Sequence, residues 1–364
     1  MQYRDFGNTG VKVSLLGFGA MRLPENEKEA VAVMRRAYEL GVNYFDTAPG
    51  YGHNGSSEVF VGKAIGDIRD KVYLSTKNPI EDASGDNFRK RLEDSLRRLD
   101  TDYVDFYHMW GINWKTFEEL IMAPNGPMAA AERLREDGII RHISFSFHDK
   151  PEALLRIIDS GRFESILVQY NILDRANEPG IEHARRRGLG VAIMGSVGGG
   201  RLAAPSARIR SMLAGGTKTT SEMALRFVMS NPNVSTALSG MGTIQMVEEN
   251  AAVASREEPL TAAERQKVQE ILDENKRVCD LYCTGCKYCM PCPNDVDIPS
   301  IFELVNYYRV YGLEAYAREH YAGIVKSAKG ADQCVECGEC EEKCPQKIHI
   351  MDQLQEAHRT LCAE

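Results

Sequence analysis

All ten cysteines of this 364-residue chain lie at or after position 279. A single core gives no reason to confine one residue type to the last quarter, so the distribution divides the polypeptide near residues 272 to 280. Residues 1–271 and 272–364 are expected to be separate domains. Length agrees, because one hydrophobic core rarely serves more than about 250–300 residues outside a large barrel. Eight of the cysteines form two runs. The first is Cys283-x2-Cys286-x2-Cys289-x2-Cys292-Pro293, and the second is Cys334-x2-Cys337-x2-Cys340-x3-Cys344-Pro345.

Three thiolates spaced this way can each hold one corner of a cuboidal cluster, and a fourth beside a chain-turning proline can reach a second cluster. The second run carries the bacterial ferredoxin spacing in full, and the first is one residue short before Cys292. Two 4Fe-4S clusters are expected. Exchange of the fourth ligand assigns Cys283, Cys286, Cys289 and Cys344 to one cluster and Cys334, Cys337, Cys340 and Cys292 to the other. Ligation within each run is the alternative. Structural zinc more often pairs cysteines across a longer loop, and disulfides do not suit a chain expected in the cytoplasm, where thiols stay reduced. Cys279 and Cys362 stand outside the runs and read as packing. Between the runs, Ile301, Leu304, Val305 and Tyr308 recur at helical spacing, so an α-helical ferredoxin-like domain is expected.

Ahead of the boundary, short β-rich runs alternate with amphipathic stretches, the rhythm of βα units. Strands are expected at 14–18, 44–47, 72–76, 104–108, 140–146, 165–168, 190–194 and 234–238. Helices are expected at 28–40, 57–65, 86–99, 151–160, 178–187, 221–230 and 244–254. Eight units in this length fit a (β/α)8 TIM barrel, whose functional residues gather at the C-terminal strand ends. A hairpin around Asn8-Thr9-Gly10 precedes the first unit and is placed to close the barrel bottom. The competing fold is a doubly wound dinucleotide domain. Its glycine fingerprint is incomplete, since Gly17-Phe18-Gly19 is followed by Arg22 where the third glycine belongs.

No apolar run approaches the ~20 residues that span a bilayer, and Met1-Gln-Tyr-Arg-Asp lacks the apolar core of a signal peptide. A cytoplasmic protein without membrane association is expected. Hydrophobic residues at 43% and charged residues at 26% suit a globular chain, and a net charge of -8 disfavours nucleic acid as partner. Arg185-Arg186-Arg187 before Gly188 reads as a helix C-terminus, where cations and a glycine cap belong.

The chemistry gathers at the expected strand ends. Asp46 closes the second strand, Lys77 the third and His108 the fourth, with Tyr51 five residues beyond Asp46. A phenol is a poor acid at its reference pKa of about 10, and an adjacent ammonium is expected to bring it toward neutrality. Asn-Tyr-Phe-Asp46-Thr-Ala-x-x-Tyr51-Gly, Ser-Thr-Lys77 and the strand-four His108 resemble the aldo-keto reductase superfamily over about residues 1–260. With the cysteine tail, the chain is similar to the iron-sulfur-containing branch. The resemblance implies hydride exchange between NAD(P)H and a small aldehyde or ketone. Tyr51 would be the general acid/base, tuned by Lys77 and Asp46, with His108 orienting the carbonyl.

The same resemblance implies coenzyme contacts. Ser146 and Gln169 match the pair that binds the nicotinamide amide, although Phe147 stands where an Asn usually follows the Ser. Met194 occupies the position of a stacking Tyr; Gly195, Ser196, Val197 and Gly198 match the diphosphate loop. Gly19 and Met21, after the first barrel strand, are further expected coenzyme contacts, and Glu249-Asn250 match the adenine contact. The cations that clamp the 2'-phosphate of NADP correspond to Gly240 and Met246, so NAD(H) is expected to be preferred unless Arg201 or another cation substitutes.

Hydride transfer needs no one-electron carrier. The clusters therefore imply a redox partner such as a ferredoxin or flavoprotein, or a structural role. Two other functions fit the same residues: a redox-neutral epimerase or lyase with retained NAD, and a non-catalytic coenzyme sensor. The loop Met109-Trp110-Gly-Ile-Asn-Trp114 is expected to line the substrate pocket.

Overall fold

The computed structural model describes residues 1–172, 174–197, 219–257, 260–277, 283, 289–309, 311–344 and 348–362. Two compact units form, Met1–Gly199 with Ala224–Thr261 and Gly200–Met223 with Ala262–Glu364. The second unit therefore takes in residues 262–271, which the cysteine distribution alone would leave with the first. Among the described residues, no helix is long and apolar enough to cross a membrane.

The chain opens with a hairpin, β1 (Tyr3–Asp5) and β2 (Lys12–Ser14), paired antiparallel with Tyr3 opposite Ser14. Eight parallel strands then close a barrel: β3 (Leu16–Gly19), β4 (Tyr44–Asp46), β5 (Tyr73–Pro79), β6 (Val104–Ile112), β7 (Ile140–Phe147), β8 (Ser165–Gln169), β9 (Gly190–Met194) and β10 (Thr236–Ser239). β10 pairs with both β9 and β3, which completes the ring. Strands buried on both faces need continuous apolar runs, and Gly190-Val-Ala-Ile-Met194 is one. The hairpin plugs the ring. Phe6 is fully buried in one cluster with Tyr44, Phe106, Leu167, Ala192 and Leu238, and its ring meets Phe106 edge-on at 4.7 Å. Burying that ring contributes about 1.5–3 kcal/mol. Arg4 locks the hairpin by donating to the carbonyls of Met229, Asn231 and Val234 at 2.6–2.8 Å.

The connecting helices are α1 (Glu27–Glu39), α2 (Ser57–Ile65), α3 (Gly85–Leu99), α4 (Pro127–Glu136), α5 (Pro151–Asp159), α6 (Glu178–Arg186), α7 (Thr220–Ser230) and α8 (Ile244–Ala254). Their starts are written locally. Asn26, Ser84 and Thr243 cap α1, α3 and α8 by accepting from backbone amides, and Pro127 and Pro151 sit in the first turns of α4 and α5. Helix α4 was not foreseen from the sequence: Pro-Met-Ala-Ala-Ala-Glu is too uniformly small to show a strong apolar stripe. β6 runs four residues past His108, with an irregular register between Met109 and Ile112 that re-aims the strand end.

In the second unit, α9 (Ala262–Arg277) is followed by α10 (Ile298–Arg309), α11 (Glu314–Lys326) and α12 (Ile350–Cys362). Helices α10, α11 and α12 pack on one another around Ile301, Phe302, Val305, Ala317, Leu354 and Leu361, all buried. Tyr307, not Tyr308, supplies the buried tyrosine of α10.

Candidate active site

Strand register brings the sequence-marked residues together. Gly19 faces Asp46 across β3 and β4, Asp46 faces Ser75 across β4 and β5, and Lys77 faces His108 across β5 and β6. Gly19 and Asp46 end their strands, and Lys77 and His108 lie two and four residues before the ends of β5 and β6. Lys77 is 1% exposed, Asp46 4% and His108 0%. Two unlike charges so deep are tolerated only when paired and hydrogen-bonded. Lys77 Nζ lies 2.6 Å from Asp46 Oδ2 and donates to the Thr47 carbonyl at 2.7 Å. Ser75 Oγ donates to the other Asp46 oxygen at 2.8 Å, and His108 Nε2 stands 3.8 Å from that same oxygen.

Tyr51 hangs over this pair. The Lys77 ammonium lies 4.8 Å from the centroid of its ring, and the Trp110 indole meets the ring edge-on at 5.6 Å. Its loop is turned by Gly50 and Gly52, both at positive φ, and anchored where the Tyr51 carbonyl accepts from Ser57 N at 3.0 Å. The electrostatics differ from the sequence expectation. Burial, and then the Asp46 carboxylate, push the Tyr51 phenol well above its ordinary value. The Lys77 charge is already neutralised by Asp46 at contact distance, so desolvation dominates at the phenol. Burial likewise lowers Lys77, against the opposing pull of Asp46. His108 is held far below the usual imidazole range by burial and then by the Lys77 charge, so it is neutral. A backbone contact to Phe145 acts on it as well, and Nε2, 3.8 Å from Asp46 Oδ1, has no hydrogen-bond partner among the described residues.

The coenzyme candidates lie on later strands, on the turns that follow strands and on α8. Ser146 on β7 is buried, and its Oγ accepts from Gly111 N at 2.7 Å. Gln169 ends β8 beside Met194, which ends β9 and is half-buried against the core. The Gln169 side chain covers Gly195, where an added β-carbon would stand 2.3 Å from its Oε1; Gly195 also has φ +64°. Ser196 Oγ donates to the Leu238 carbonyl at 2.5 Å. Val197 is half-buried, and Gly198, with Arg201, lies outside the described residues. Met21 is 55% exposed on the turn after β3. On α8, Asn250 is buried and donates to Ser239 Oγ at 3.1 Å, whereas Glu249 is exposed and bonded to Gln245. Phe147 packs near-perpendicular to Phe145 in the core, so it offers no amide-binding group.

Several supporting residues escaped the sequence reading. Ser75, two residues before Lys77 and on the same strand face, orients Asp46. Asn171 donates to the Gly195 carbonyl at 2.9 Å and so holds that loop. The two tryptophans part company: Trp110 meets Tyr51, while Trp114 lies under the Arg156 guanidinium at 3.6 Å and packs away from it.

In the second unit, Cys292, Cys334, Cys337 and Cys340 line one cavity together with Ile298, Met351 and Leu354. These are the thiols that exchange of the fourth ligand groups together. Among the described residues, no three His, Cys, Asp or Glu side chains converge as ligands of one metal ion. A cuboidal cluster asks for something else, four thiolates each on its own iron around a shared space. Cys344 is buried, Cys283 and Cys289 are half-buried, and Cys286 and Cys279 lie outside the described residues.

A closed eight-stranded parallel barrel with Asp, Lys, His and Tyr at one mouth defines an oxidoreductase-type site. Residues 15–273 match the aldo/keto reductase family and residues 282–349 the 4Fe-4S dicluster domain. The chain is 29% identical over 312 residues to L-galactose dehydrogenase of Arabidopsis thaliana, covering 76% of this chain and 96% of that protein. It resembles the holo form of an aldo-keto reductase from Bacillus halodurans (31% identity, 74% and 96% of the two chains, TM-score 0.65). It also resembles an aldo/keto reductase from Klebsiella pneumoniae in complex with NADP and acetate (26% identity, 73% and 94%, TM-score 0.62). The chain belongs to the aldo/keto reductase family. It is an oxidoreductase with a C-terminal 4Fe-4S domain.

Proposed function

We propose that the chain interconverts a small aldehyde or ketone and its alcohol, with Tyr51 as the general acid/base. The observation that carries this reading is the buried Asp46–Lys77 pair, 2.6 Å apart, lying under the Tyr51 ring beside a neutral His108. A bound nicotinamide coenzyme would supply the hydride that the carbonyl carbon gains in reduction, or accept it in the reverse direction. Tyr51 Oη gives its proton to the carbonyl oxygen, and Lys77 stabilises the phenolate left behind. His108 donates a hydrogen bond to the same oxygen, which fixes its position. Trp110 walls the pocket beside Tyr51, and the L-galactose dehydrogenase relative supports a sugar-like substrate.

Ser146 and Gln169 would hold the coenzyme's amide, with Gly19, Met21 and Met194 on the nicotinamide side. The loop Gly195 to Gly198 would meet the diphosphate, and Glu249 and Asn250 the adenine. Gly240 and Met246 offer no charge to a 2'-phosphate, so NAD(H) is the preferred coenzyme. Residues 1–271 form the reductase domain and 272–364 the iron-sulfur domain. Two 4Fe-4S clusters, held by Cys283, Cys286, Cys289 and Cys344 and by Cys334, Cys337, Cys340 and Cys292, would exchange electrons with a ferredoxin or flavoprotein. The protein works in the cytoplasm, without nucleic acid or membrane. Anaerobically purified enzyme, screened on aldoses and aromatic aldehydes, is expected to show a higher kcat/KM with NADH than with NADPH. A clear NADPH preference would overturn the coenzyme assignment. Tyr51→Phe should lower kcat by about 10²–10⁴-fold; a variant that keeps its rate removes Tyr51 from the reaction.

A further inference from the structure

Glu58 is a carboxylate with no solvent exposure, and the chemistry above gives it no task. It is the second residue of α2, the helix that leaves the Tyr51 loop. Oε1 accepts from Thr76 Oγ1 at 2.6 Å, and Oε2 accepts from Arg98 Nε on α3, also at 2.6 Å. Thr76 precedes Lys77 on β5, and neighbouring strand residues point to opposite faces. As Lys77 reaches into the barrel, Thr76 reaches outward to Glu58. Ser57 does the corresponding work for the tyrosine. Its amide donates to the Tyr51 carbonyl at 3.0 Å, while its hydroxyl bonds Thr47 Oγ1 and the Ala20 carbonyl, both at 2.7 Å. Two consecutive residues of one helix start thus pin both halves of the Tyr51–Lys77 pair.

The charge on Glu58 needs a reason. A neutral glutamine would satisfy Thr76 equally well, and burying a carboxylate is costly even when it is paired. Asp46, Lys77, Glu58 and Arg98 alternate in sign from the barrel interior to the surface. Around Lys77 stand Asp46, Tyr51 and His108. Around Glu58 stand Arg98 and the buried Tyr107 phenol, which also feels Arg91. We infer that Glu58 is a positioning residue for the Tyr51–Lys77 pair, clamping β5 to α2 from behind the barrel wall and setting a second carboxylate, after Asp46, near Lys77. The inference rests on the proposed roles of Tyr51 and Lys77. Burial lowers Lys77, the charge and hydrogen bond of Asp46 oppose it most, and the Glu58 charge adds a smaller raising contribution.

The test compares pH profiles of carbonyl reduction in the full-length holoprotein. Glu58→Gln keeps an acceptor for Thr76 and removes the charge. The high-pH limb of kcat should move toward acid, with the KM for NADH within about twofold of wild type. Thr76→Val keeps the charge and removes the clamp, so kcat should fall severalfold with the limb in place. A Glu58→Gln limb that stays put, whether or not the melting temperature falls, overturns the electrostatic role. Should Glu58→Gln fail to fold, Thr76→Val decides, and a wild-type kcat there overturns the clamp. Tyr51→Phe, measured in parallel, separates the layers: activity surviving in that variant defeats the underlying reaction, whereas its loss beside an unmoved Glu58→Gln limb defeats only the present inference.

Discussion

Lys77 shows how little of a site's energetics lies in its motif. Its place after Ser-Thr at a strand end is plain in the sequence, and so are Asp46, Tyr51 and His108, because strand ends follow from apolar periodicity. Ser75 and Glu58 were not legible: what they touch depends on cross-strand register and on a helix crossing behind the wall, and neither is written locally. The direction of the Tyr51 shift was also hidden, since it turns on Asp46 neutralising Lys77 at contact distance. That direction sets the pH dependence. Tyr51 is raised and Lys77 lowered, so on raising the pH the ammonium is lost first, below its ordinary 10.5. Carbonyl reduction should hold its rate through neutral pH and then fall as Lys77 deprotonates. Initial rates of carbonyl reduction across pH check this, and a limb below neutral pH would contradict it. Lys77→Met leaves the Asp46 carboxylate buried without its partner and should cost about 3–5 kcal/mol of stability by denaturant titration.

At the scale of elements, α2 has the most work to do. It starts beneath Tyr51, carries Glu58, and lies so close to the end of α3 that a β-carbon on Gly62 would stand 2.3 Å from the Leu99 carbonyl oxygen. Backbone cannot yield as a flexible side chain can. Gly62→Ala should therefore push α2 outward, costing about 1–3 kcal/mol as overpacked sites do and lowering kcat through Tyr51. Thermal melting together with steady-state rates checks the pairing of effects; a fully stable, fully active variant would show that α2 can slide without consequence. The elements themselves were largely readable, since β9, α2 and α8 fall at their expected limits. Misses cluster where tertiary contacts decide. β6 outruns its periodic segment because β7 continues to pair with it as far as Ile112 and Phe147. Helix α4 buries Met128, Ala131 and Leu134, a stripe too small for a pattern search to catch.

For the whole molecule, the question is whether the cysteine runs form two independent lobes or one knot. Cys292 comes from the first run, yet it borders the same cavity as Cys334, Cys337 and Cys340 of the second, so on the proposed ligand exchange each cluster ties the two runs together. Sequence spacing left this open because the first run is one residue short before its last cysteine. Metal content can decide it. Two 4Fe-4S clusters give about eight iron and eight labile sulfide per chain, and loss of one leaves about four. Under exchange, Cys292→Ser, Cys334→Ser and the double variant should all fall to about four iron, because the two thiols serve the same cluster. Cys283→Ser combined with Cys334→Ser should lose both clusters. Ligation within each run would also empty the Cys283→Ser and Cys334→Ser combination, and it differs in Cys292→Ser combined with Cys334→Ser, which would then fall toward zero. Since the tetrad is built wholly on β4, β5, β6 and the Tyr51 loop, anaerobic reduction with NADH should persist at the same kcat in the single-cluster variants. A loss of rate matching the loss of iron would mean instead that the clusters take part in the turnover of the barrel.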